Sequence, residues 1–328
     1  MRLNNEIKKR IFCFALSSAF TNFAKQYNKV MTESGKQQIG VVMVLFNPNE
    51  EDLDNMRHVA TRYHGCVVDN SATPSLDVQR IHLMDYVPLR RNAGIAHAQN
   101  VGIRRLLEDT DIQYLVFFDQ DSRFDDDYPD VITAEYERIS TNGIPLAALG
   151  PTVVHKDNGE AYRSVIHRAP VTTDGFTPLS EIISSGCCIS REALCRVGLN
   201  EERLFIDFVD CEWCWRARRH GLVSGTTPNI TIGHKVGQRE LHIGSHVVII
   251  SAPFRYYYQY RNLIWLSARG YVPWRFKVAK GAKFLLRLLY FPFFVRGGAT
   301  RWVQMMRGVR DGIRGLFSRH KDSDNERL

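Results

Sequence analysis

Patterns that mark several common protein classes are absent from this sequence of 328 residues. No G-x-G-x-x-G motif opens a helix, which argues against an oxidoreductase that binds a dinucleotide. No apolar run comes near the roughly 20 residues that a membrane-spanning helix needs. Internal repeats and low-complexity tracts are also absent, which excludes solenoid and fibrous architectures. What remains is the composition of an ordinary folded protein, with 44% hydrophobic and 24% charged residues.

Cysteine is too sparse and too unevenly spaced to form a disulfide framework. The chain has seven cysteines, an odd number, which fits a protein of a reducing compartment. Cys211 and Cys214 form a C-x-x-C pair with no second pair nearby, in a segment with a helical pattern. A zinc or redox role is therefore not predicted for them.

Acidic residues are almost missing from residues 251–320, which contain fourteen Lys and Arg but only one acid, Asp311. Because the whole chain has a net charge of +8, the remainder has a net charge of −5. Aromatic residues and leucines lie between the basic ones, which is typical of a segment on an anionic membrane surface. A basic helical cap on the core and a nucleic-acid-binding surface are the alternatives, although no known nucleic-acid-binding motif accompanies the charge. We predict a helical, membrane-surface region at 251–328 that binds no nucleic acid.

The beginning of the chain has an ambiguous pattern. The basic residues 8–10 and the apolar run 11–20 imitate a short signal peptide, but serines interrupt the run and no clear cleavage site follows. Met31 stands shortly before the first convincing strand. We therefore interpret residues 1–38 as an N-terminal extension.

Strand-like and helix-like segments alternate between residues 40 and 118. Apolar strand patterns at 40–46, 66–68, 86–89 and 114–118 alternate with helical patterns at 49–62 and 95–107. This alternation favours a parallel sheet covered by helices. We predict an α/β fold with a Rossmann-like, mostly parallel central sheet. The predicted catalytic domain is 39–250, with a nucleotide-binding half at 39–125 and an acceptor half at 126–250.

Polar residues follow the predicted strands or begin the predicted helices. Open α/β sheets bind their ligands at the carboxyl ends of the strands, so we expect these residues to meet at one edge. In chain order they are Asp69, Asn92, Gly94, Asp119, Asp121, Asp210 and Glu212.

The chemistry of each residue type suggests a division of roles. Asp119 and Asp121 lie on a turn after an apolar strand, where they could ligate a divalent cation or simply form the turn. Gly94 allows close approach of a phosphate to a helix N-terminus. Asp69 could accept a hydrogen bond from a uracil or thymine base. Asp210, in the first turn of a helix, could act as a general base toward a hydroxyl group.

Four sequence strings together resemble the family 2 glycosyltransferases and, more narrowly, the bacterial rhamnosyltransferases that use dTDP-L-rhamnose. The resemblance runs from about residue 39 to about residue 270. Its strings are Val68-Asp69-Asn70-Ser71, Asn92-x-Gly94-Ile95-Ala96, Phe118-Asp119-Gln120-Asp121-Ser122 and Phe205-Ile206-Asp207-x-Val209-Asp210-x-Glu212-Trp213.

This resemblance implies a GT-A fold and an inverting, metal-dependent transfer from a nucleotide sugar. It implies that Asp69 holds the base, that Asn92 and Gly94 line the nucleotide site, and that Asp119 lies near the ribose. It also implies that Asp121 ligates Mg²⁺ or Mn²⁺.

The same resemblance extends to the acceptor side of the site. Asp210 would be the catalytic base, and Glu212 and Trp213 would shape the acceptor side. His234 resembles the additional metal-ligand histidine of the family. Gln120 would belong to the nucleotide-sugar site. Glutamine between the two aspartates is the form of this motif that is associated with the rhamnosyl subgroup.

The partners implied are a nucleotide-sugar donor, dTDP-L-rhamnose, and a glycan or lipid-linked glycan acceptor. The expected setting is cell-surface polysaccharide synthesis of the O-antigen type, at the cytoplasmic face of the inner membrane. A transferase that uses a UDP-hexose or UDP-N-acetylhexosamine on the same fold is the alternative. A nucleotidyltransferase is disfavoured, because Asn47-Pro48-Asn49 stands where a Gly-rich triphosphate loop would lie.

Overall fold

The computed structural model describes residues 38–155, 172, 175–234, 240–243 and 246–318. The strands are β1 Gln38–Leu45, β2 Gly65–Asp69, β3 Arg80–Ile81, β4 Met84–Pro88, β5 Ile112–Asp119, β6 Leu146–His155, β7 Thr177–Leu179, β8 Cys188–Ser190, β9 Val223–His234, β10 Glu240–Ile243 and β11 His246–Ile249. The helices are α1 Glu50–Ala60, α2 Ile95–Leu107, α3 Tyr128–Thr141, α4 Arg191–Val197, α5 Val209–Arg219, α6 Pro253–Ser267, α7 Trp274–Phe294 and α8 Gly298–Ser318, with a 3₁₀ turn at Glu202–Leu204.

The central sheet is mixed rather than mostly parallel. Its strand order is β3–β4–β2–β1–β5–β8–β6–β9–β7. The expected parallel arrangement holds for β1, β2 and β4, with Val44 of β1 opposite Val68 of β2. Strand β8 lies antiparallel to both β5 and β6, and β3 and β7 are antiparallel edge strands. A strand of three residues such as β8 is too short to show a periodicity, so the α/β class was predictable but this insertion was not.

Side chains of β1 alternate between two apolar layers, as the two-residue period of a strand requires. Val41 and Met43 pack with α1 and α3 on one face of the sheet. Val42 and Val44 pack with α2, α4 and α5 on the other face. The sheet is therefore buried on both faces, which explains the nearly continuous apolar run of β1.

Helices α2 and α5 begin beside the carboxyl ends of the strands. Helix α2 has the bounds that the sequence pattern predicted, 95–107. Helix α5 ends at Arg219. Gly221 follows two residues later with a φ of 75°, a left-handed conformation that suits glycine. These two helix N-termini face the site described below.

Residues 253–318 form three helices, as predicted for the basic C-terminal region. They contribute to a third apolar cluster, in which Tyr256 of α6 and Phe276 of α7 are buried together with Trp215 of α5. Part of the region is therefore a cap on the α/β core. In the part of the chain that is described, none of the helices combines the length and the apolar character that crossing a bilayer requires.

The contacts between residues place Ile39–Leu328 in one compact unit. The domain boundary at residue 250 stays a prediction.

Candidate active site

A cavity of about 570 Å³ lies at the carboxyl ends of β1 and β5 and the N-termini of α2 and α5. Asp119 ends β5, Asp121 follows it, and Asp210 lies in the first turn of α5. All three line this cavity, together with Asn92, Gly94 and Gln120. The topology therefore brings together residues that are up to 118 positions apart, as the sequence led us to expect.

The three aspartates influence one another electrostatically. Burial, with the negative charges of Asp121 and Asp210, raises the pKa of Asp119 to about 6. Burial also raises the pKa of Asp210, to which the charge of Asp207 contributes, while the backbone N–H of Cys211, 2.9 Å away, lowers it. A carboxylate with a raised pKa is a stronger base, which is the direction that general base catalysis needs.

The charge of the cavity wall fits the binding of a divalent cation. Its described lining contains four carboxylates and one guanidinium group, that of Arg255. Arg255 pairs with Asp207 at 2.6 Å, so Asp119, Asp121 and Asp210 have no cation of their own in this lining. Among the described residues, no group of three or more His, Cys, Asp and Glu side chains encloses a metal position. Such a site suits Mg²⁺ or Mn²⁺ held by one or two carboxylates and by substrate phosphates, rather than by protein ligands alone.

The wall near α2 is held by an asparagine pair. Asn70 follows β2 and donates a hydrogen bond from Nδ2 to Oδ1 of Asn92 at 3.1 Å. Its own Oδ1 accepts from the N–H of Ala93 at 2.7 Å, and Asn92 Oδ1 accepts from the N–H of Gly94 at 3.1 Å. Asn92 therefore has a fixed orientation in the cavity wall, and the amides of residues 93 and 94 are already hydrogen-bonded within the chain.

Gly94 is required by its own backbone and by a neighbouring aromatic residue. Its φ is 87°, and a Cβ would lie 2.6 Å from both the ring and the carbonyl oxygen of Phe205. The close approach that the sequence suggested for a phosphate is thus made, in this structure, by the chain itself.

Asp69 lies next to the cavity but is not part of its wall. Its side chain is fully buried and accepts hydrogen bonds from the N–H of Ser71, the N–H of Ser75 and the hydroxyl of Tyr86, at 2.9, 2.7 and 2.5 Å. Burial alone would raise the pKa of Asp69, but these hydrogen bonds outweigh it and lower the pKa below its ordinary value. The carboxylate shapes the turn after β2, and its contact with a base stays a prediction.

Gln120 lines the cavity with its amide already engaged. Its Oε1 accepts from the N–H of Phe46 at 2.6 Å, and its Nε2 donates to Asp52 at 3.1 Å. The residue between the two aspartates therefore ties the turn after β5 to the end of β1 and the start of α1. Contact of Gln120 with a donor sugar stays a prediction.

Glu212 and Trp213 lie away from the cavity. Glu212 is 1% exposed and accepts hydrogen bonds from Arg216, Arg269 and Tyr271. Trp213 is buried and donates from its indole nitrogen to the carbonyl of Gly198 at 2.8 Å. These are the contacts of a structural network, and the acceptor role predicted for both residues stays a prediction.

His234 ends strand β9, where its backbone pairs with that of His155. Its side chain lies outside the described part of the structure, so its role as a metal ligand also stays a prediction.

One part of the cavity wall was missed in the sequence. The loop 205–208 lines the cavity, and Phe205, Asp207 and Phe208 have φ values of 65°, 66° and 66°. Phe254 and Arg255, at the start of α6, line it as well. One signal in the sequence pointed to this loop, since Asp207 belongs to the string that ends at Trp213. The residues of α6 were assigned to the peripheral basic region instead.

No family model matches the chain. Among curated proteins, the dTDP-rhamnosyl transferase RfbF of Shigella flexneri is 30% identical to this chain over 300 residues, which cover 85% of this chain and 96% of the relative.

Three solved structures also resemble the chain, with TM-scores below 0.5. TarS of S. aureus has a TM-score of 0.47 and 15% identity, and the match covers 88% of this chain and 54% of TarS. The mannosyltransferase PcManGT of Pyrobaculum calidifontis, in complex with GDP-Man and Mn²⁺, has a TM-score of 0.46 and 12% identity, and the match covers 95% of this chain and 86% of PcManGT. GalNAc-T7 with UDP, GalNAc and Mn²⁺ has a TM-score of 0.43 and 12% identity, and the match covers 61% of this chain and 44% of GalNAc-T7. The chain thus spans about half the length of two of these three proteins.

Proposed function

Because this chain belongs to the same glycosyltransferase family as the dTDP-rhamnosyl transferase of Shigella flexneri, we propose that it transfers L-rhamnose from dTDP-L-rhamnose with inversion. The acceptor is a glycan or lipid-linked glycan of a cell-surface polysaccharide. The observation that carries the proposal is the cavity in which Asp119, Asp121 and Asp210 converge beside two helix N-termini.

In this reaction Asp210 takes the proton from the acceptor hydroxyl as its oxygen attacks the anomeric carbon. The new C–O bond forms while the bond from that carbon to the diphosphate oxygen breaks, and dTDP leaves with the bonding electrons. Asp210 suits this role because burial raises its pKa and because it lies in the same wall as Asp121. Inversion follows from the single displacement.

Asp121 is the proposed ligand of Mg²⁺ or Mn²⁺, with Asp119 beside it. The cavity wall is negatively charged and would repel a diphosphate. A divalent cation bound there supplies the positive charge that the diphosphate needs.

The first experiment measures sugar transfer by the Asp210→Asn variant. Loss of a general base typically lowers the rate by about 10²–10⁴-fold, and we expect dTDP affinity to stay at the wild-type value. Asp125→Asn, at an exposed position beyond the turn, is the matched control. Wild-type transfer by Asp210→Asn would show that another group is the base.

A second experiment addresses the cation and the donor. We expect Asp121→Ala to lose the Mn²⁺-dependent part of dTDP affinity, and equal affinity with and without Mn²⁺ in the wild type would contradict a cation site. Turnover of dTDP-L-rhamnose should exceed that of UDP-hexoses and UDP-N-acetylhexosamines. Preference for a UDP sugar would favour the alternative donor on the same fold.

We also propose that the C-terminal helices attach the protein to the cytoplasmic membrane surface, where a lipid-linked acceptor would lie. Helix α7 packs on the core through Phe276, Phe284 and Phe291, which are buried. Its outer face carries an exposed apolar stripe at helical spacing, formed by Trp274, Val278, Leu285, Leu289 and Phe293. An outward apolar stripe on a helix is unusual for a protein surface and suits partial burial in a lipid interface.

Basic residues accompany this stripe. Arg275, Lys283 and Arg296 are exposed on the same helix or just after it. Partial burial of the ammonium group lowers the pKa of Lys283, and the nearby positive charges of Arg287 and Lys280 lower it further, so several basic side chains lie close together on this helix. An anionic lipid surface relieves such repulsion, each basic residue near the surface contributing about 1 kcal/mol.

A further inference from the structure

The loop 205–208 has a backbone conformation that its residues do not favour. Phe205, Asp207 and Phe208 all have a positive φ, a region that bulky residues adopt only when their surroundings impose it. Phe208 is also the N-cap of α5, and Asp210 follows in its first turn. The conformation of this loop therefore fixes where the carboxylate of Asp210 lies in the cavity.

A buried side chain of α6 is hydrogen-bonded to this loop. Asn262 is 0% exposed, and its Nδ2 donates to the carbonyl oxygens of Leu204, Ile206 and Asp207 at 2.9, 2.9 and 3.1 Å. Its Oδ1 accepts from the guanidinium of Arg261 at 2.9 Å. Because carbonyl oxygens need a donor, neither a carboxylate nor an apolar side chain at position 262 could replace these contacts.

Two further contacts join α6 to the same loop. Arg255 binds both carboxylate oxygens of Asp207, at 2.6 and 3.2 Å, and it lines the cavity. The ring of Tyr258 stacks on that of Phe205, with centroids 4.4 Å apart and planes 7° apart. Arg255, Tyr258 and Asn262 lie on successive turns of α6. Together they contact the side chains of Phe205 and Asp207 and the carbonyl oxygens of residues 206 and 207.

We propose that Asn262 and Arg255 are positioning residues, which hold the loop 205–208 so that Asp210 meets the acceptor hydroxyl. The role given to Asp210 rests on the proposed function, whereas the support of the loop does not. Helix α6 is in this view part of the active site, although it belongs to the basic C-terminal region.

The test uses the full chain with the isosteric Asn262→Asp substitution, which replaces the donor by an acceptor. Tyr260→Phe is the matched control, because it removes another buried hydrogen bond of α6, from the hydroxyl to the carbonyl of Phe284 at 2.7 Å, without touching the loop. We expect Asn262→Asp to lower kcat for transfer by about 10–100-fold, since small misplacements of catalytic groups have effects of this size. The affinity for dTDP should change by less than about twofold, as expected when only the reacting geometry is disturbed.

Amide hydrogen exchange of residues 204–208 gives a readout that does not depend on the donor. It should rise in Asn262→Asp and not in Tyr260→Phe. Unchanged exchange would overturn the loop support, whatever sugar is transferred. Raised exchange with unchanged kcat would overturn the positioning role of Asn262. If the wild type transfers no sugar from any donor, the proposed function fails while the exchange result still decides the loop support.

Arg255→Lys covers the case in which Asn262→Asp does not fold. The side chain of Arg255 is 41% exposed, and lysine keeps its charge but loses the two-pronged contact with Asp207. We expect a reduced kcat with unchanged dTDP affinity. Wild-type kcat in this variant would reject the positioning role of Arg255, and an equal loss of dTDP affinity would show that it binds the donor instead.

Discussion

The apolar area of the exposed stripe of α7 can be reduced without disturbing the fold. We consider the double variant Leu289→Ala and Phe293→Ala, because these side chains are 63% and 80% exposed and lie one turn apart on the outer face. Alanine preserves the helix, as it has the highest helix propensity. The stability and the transfer of sugar to a soluble acceptor should therefore stay at the wild-type values.

The magnitude follows from the area that these side chains still expose. Complete burial of a Leu or Phe side chain contributes about 1.5–3 kcal/mol. Because roughly two-thirds or more of each is still exposed, about 1–2 kcal/mol per residue is available for partition into a lipid interface. Together the two substitutions should weaken membrane partition by about 2–4 kcal/mol, which corresponds to about 30- to 900-fold.

The assay is flotation with vesicles that contain anionic phospholipid, at two salt concentrations. Binding of the wild type should fall with increasing salt, because the basic residues contribute through screened interactions. The control variant Val78→Ala and Val131→Ala removes two other exposed apolar side chains, 45% and 36% exposed, and should bind like the wild type. Wild-type partition of the α7 double variant, or an equal loss in the control, would refute the membrane role of the stripe.

Three further substitutions test individual residues of the core and the cavity. Asp69→Asn should lower the free energy of unfolding by about 1–3 kcal/mol at pH 7, because buried hydrogen bonds lose their acceptor. Because the pKa of Asp69 is lowered in the folded protein, the extra stability of the wild type is present above the unfolded pKa of about 3.9 and is lost as the pH falls through the folded pKa. Urea unfolding at several pH values measures this stability difference. A difference that persists at lower pH would contradict the reasoning. Gly94→Ala should destabilise the protein by about 1–3 kcal/mol more than Gly143→Ala, because both have a φ near 85° but only the first would meet Phe205; equal thermal midpoints would show that Phe205 moves away. Glu212→Gln should destabilise by about 3–5 kcal/mol, since it breaks a buried ion-pair network, whereas wild-type unfolding with impaired transfer would favour the acceptor role.

The sequence predicted elements whose patterns are long and local. The period of helix α2 and the glycine that follows α5 were sufficient to place both helices. The convergence of Asp119, Asp121 and Asp210 in one cavity was predictable because ligand sites of open α/β sheets lie at the carboxyl ends of the strands.

Other features could not be predicted, because they depend on contacts between distant segments. The antiparallel strand β8 joins β5 to β6, and three residues carry too little pattern to reveal this. Helix α6 contains the same mixture of basic and aromatic residues as the helices that follow it. Only its packing shows that Asn262 supports the loop 205–208.

The sequence by itself determined the α/β class, the order of the cavity residues and the family resemblance, since these follow from periodicity and from motifs within short segments. Tertiary structure decided how each polar group is used. Asp69 and Gln120 turned out to be engaged by neighbouring donors and acceptors, and Glu212 by Arg216 and the buried Arg269. A carboxylate or amide in a sequence can bind a ligand or its own chain, and only the positions of its neighbours determine which of the two it does.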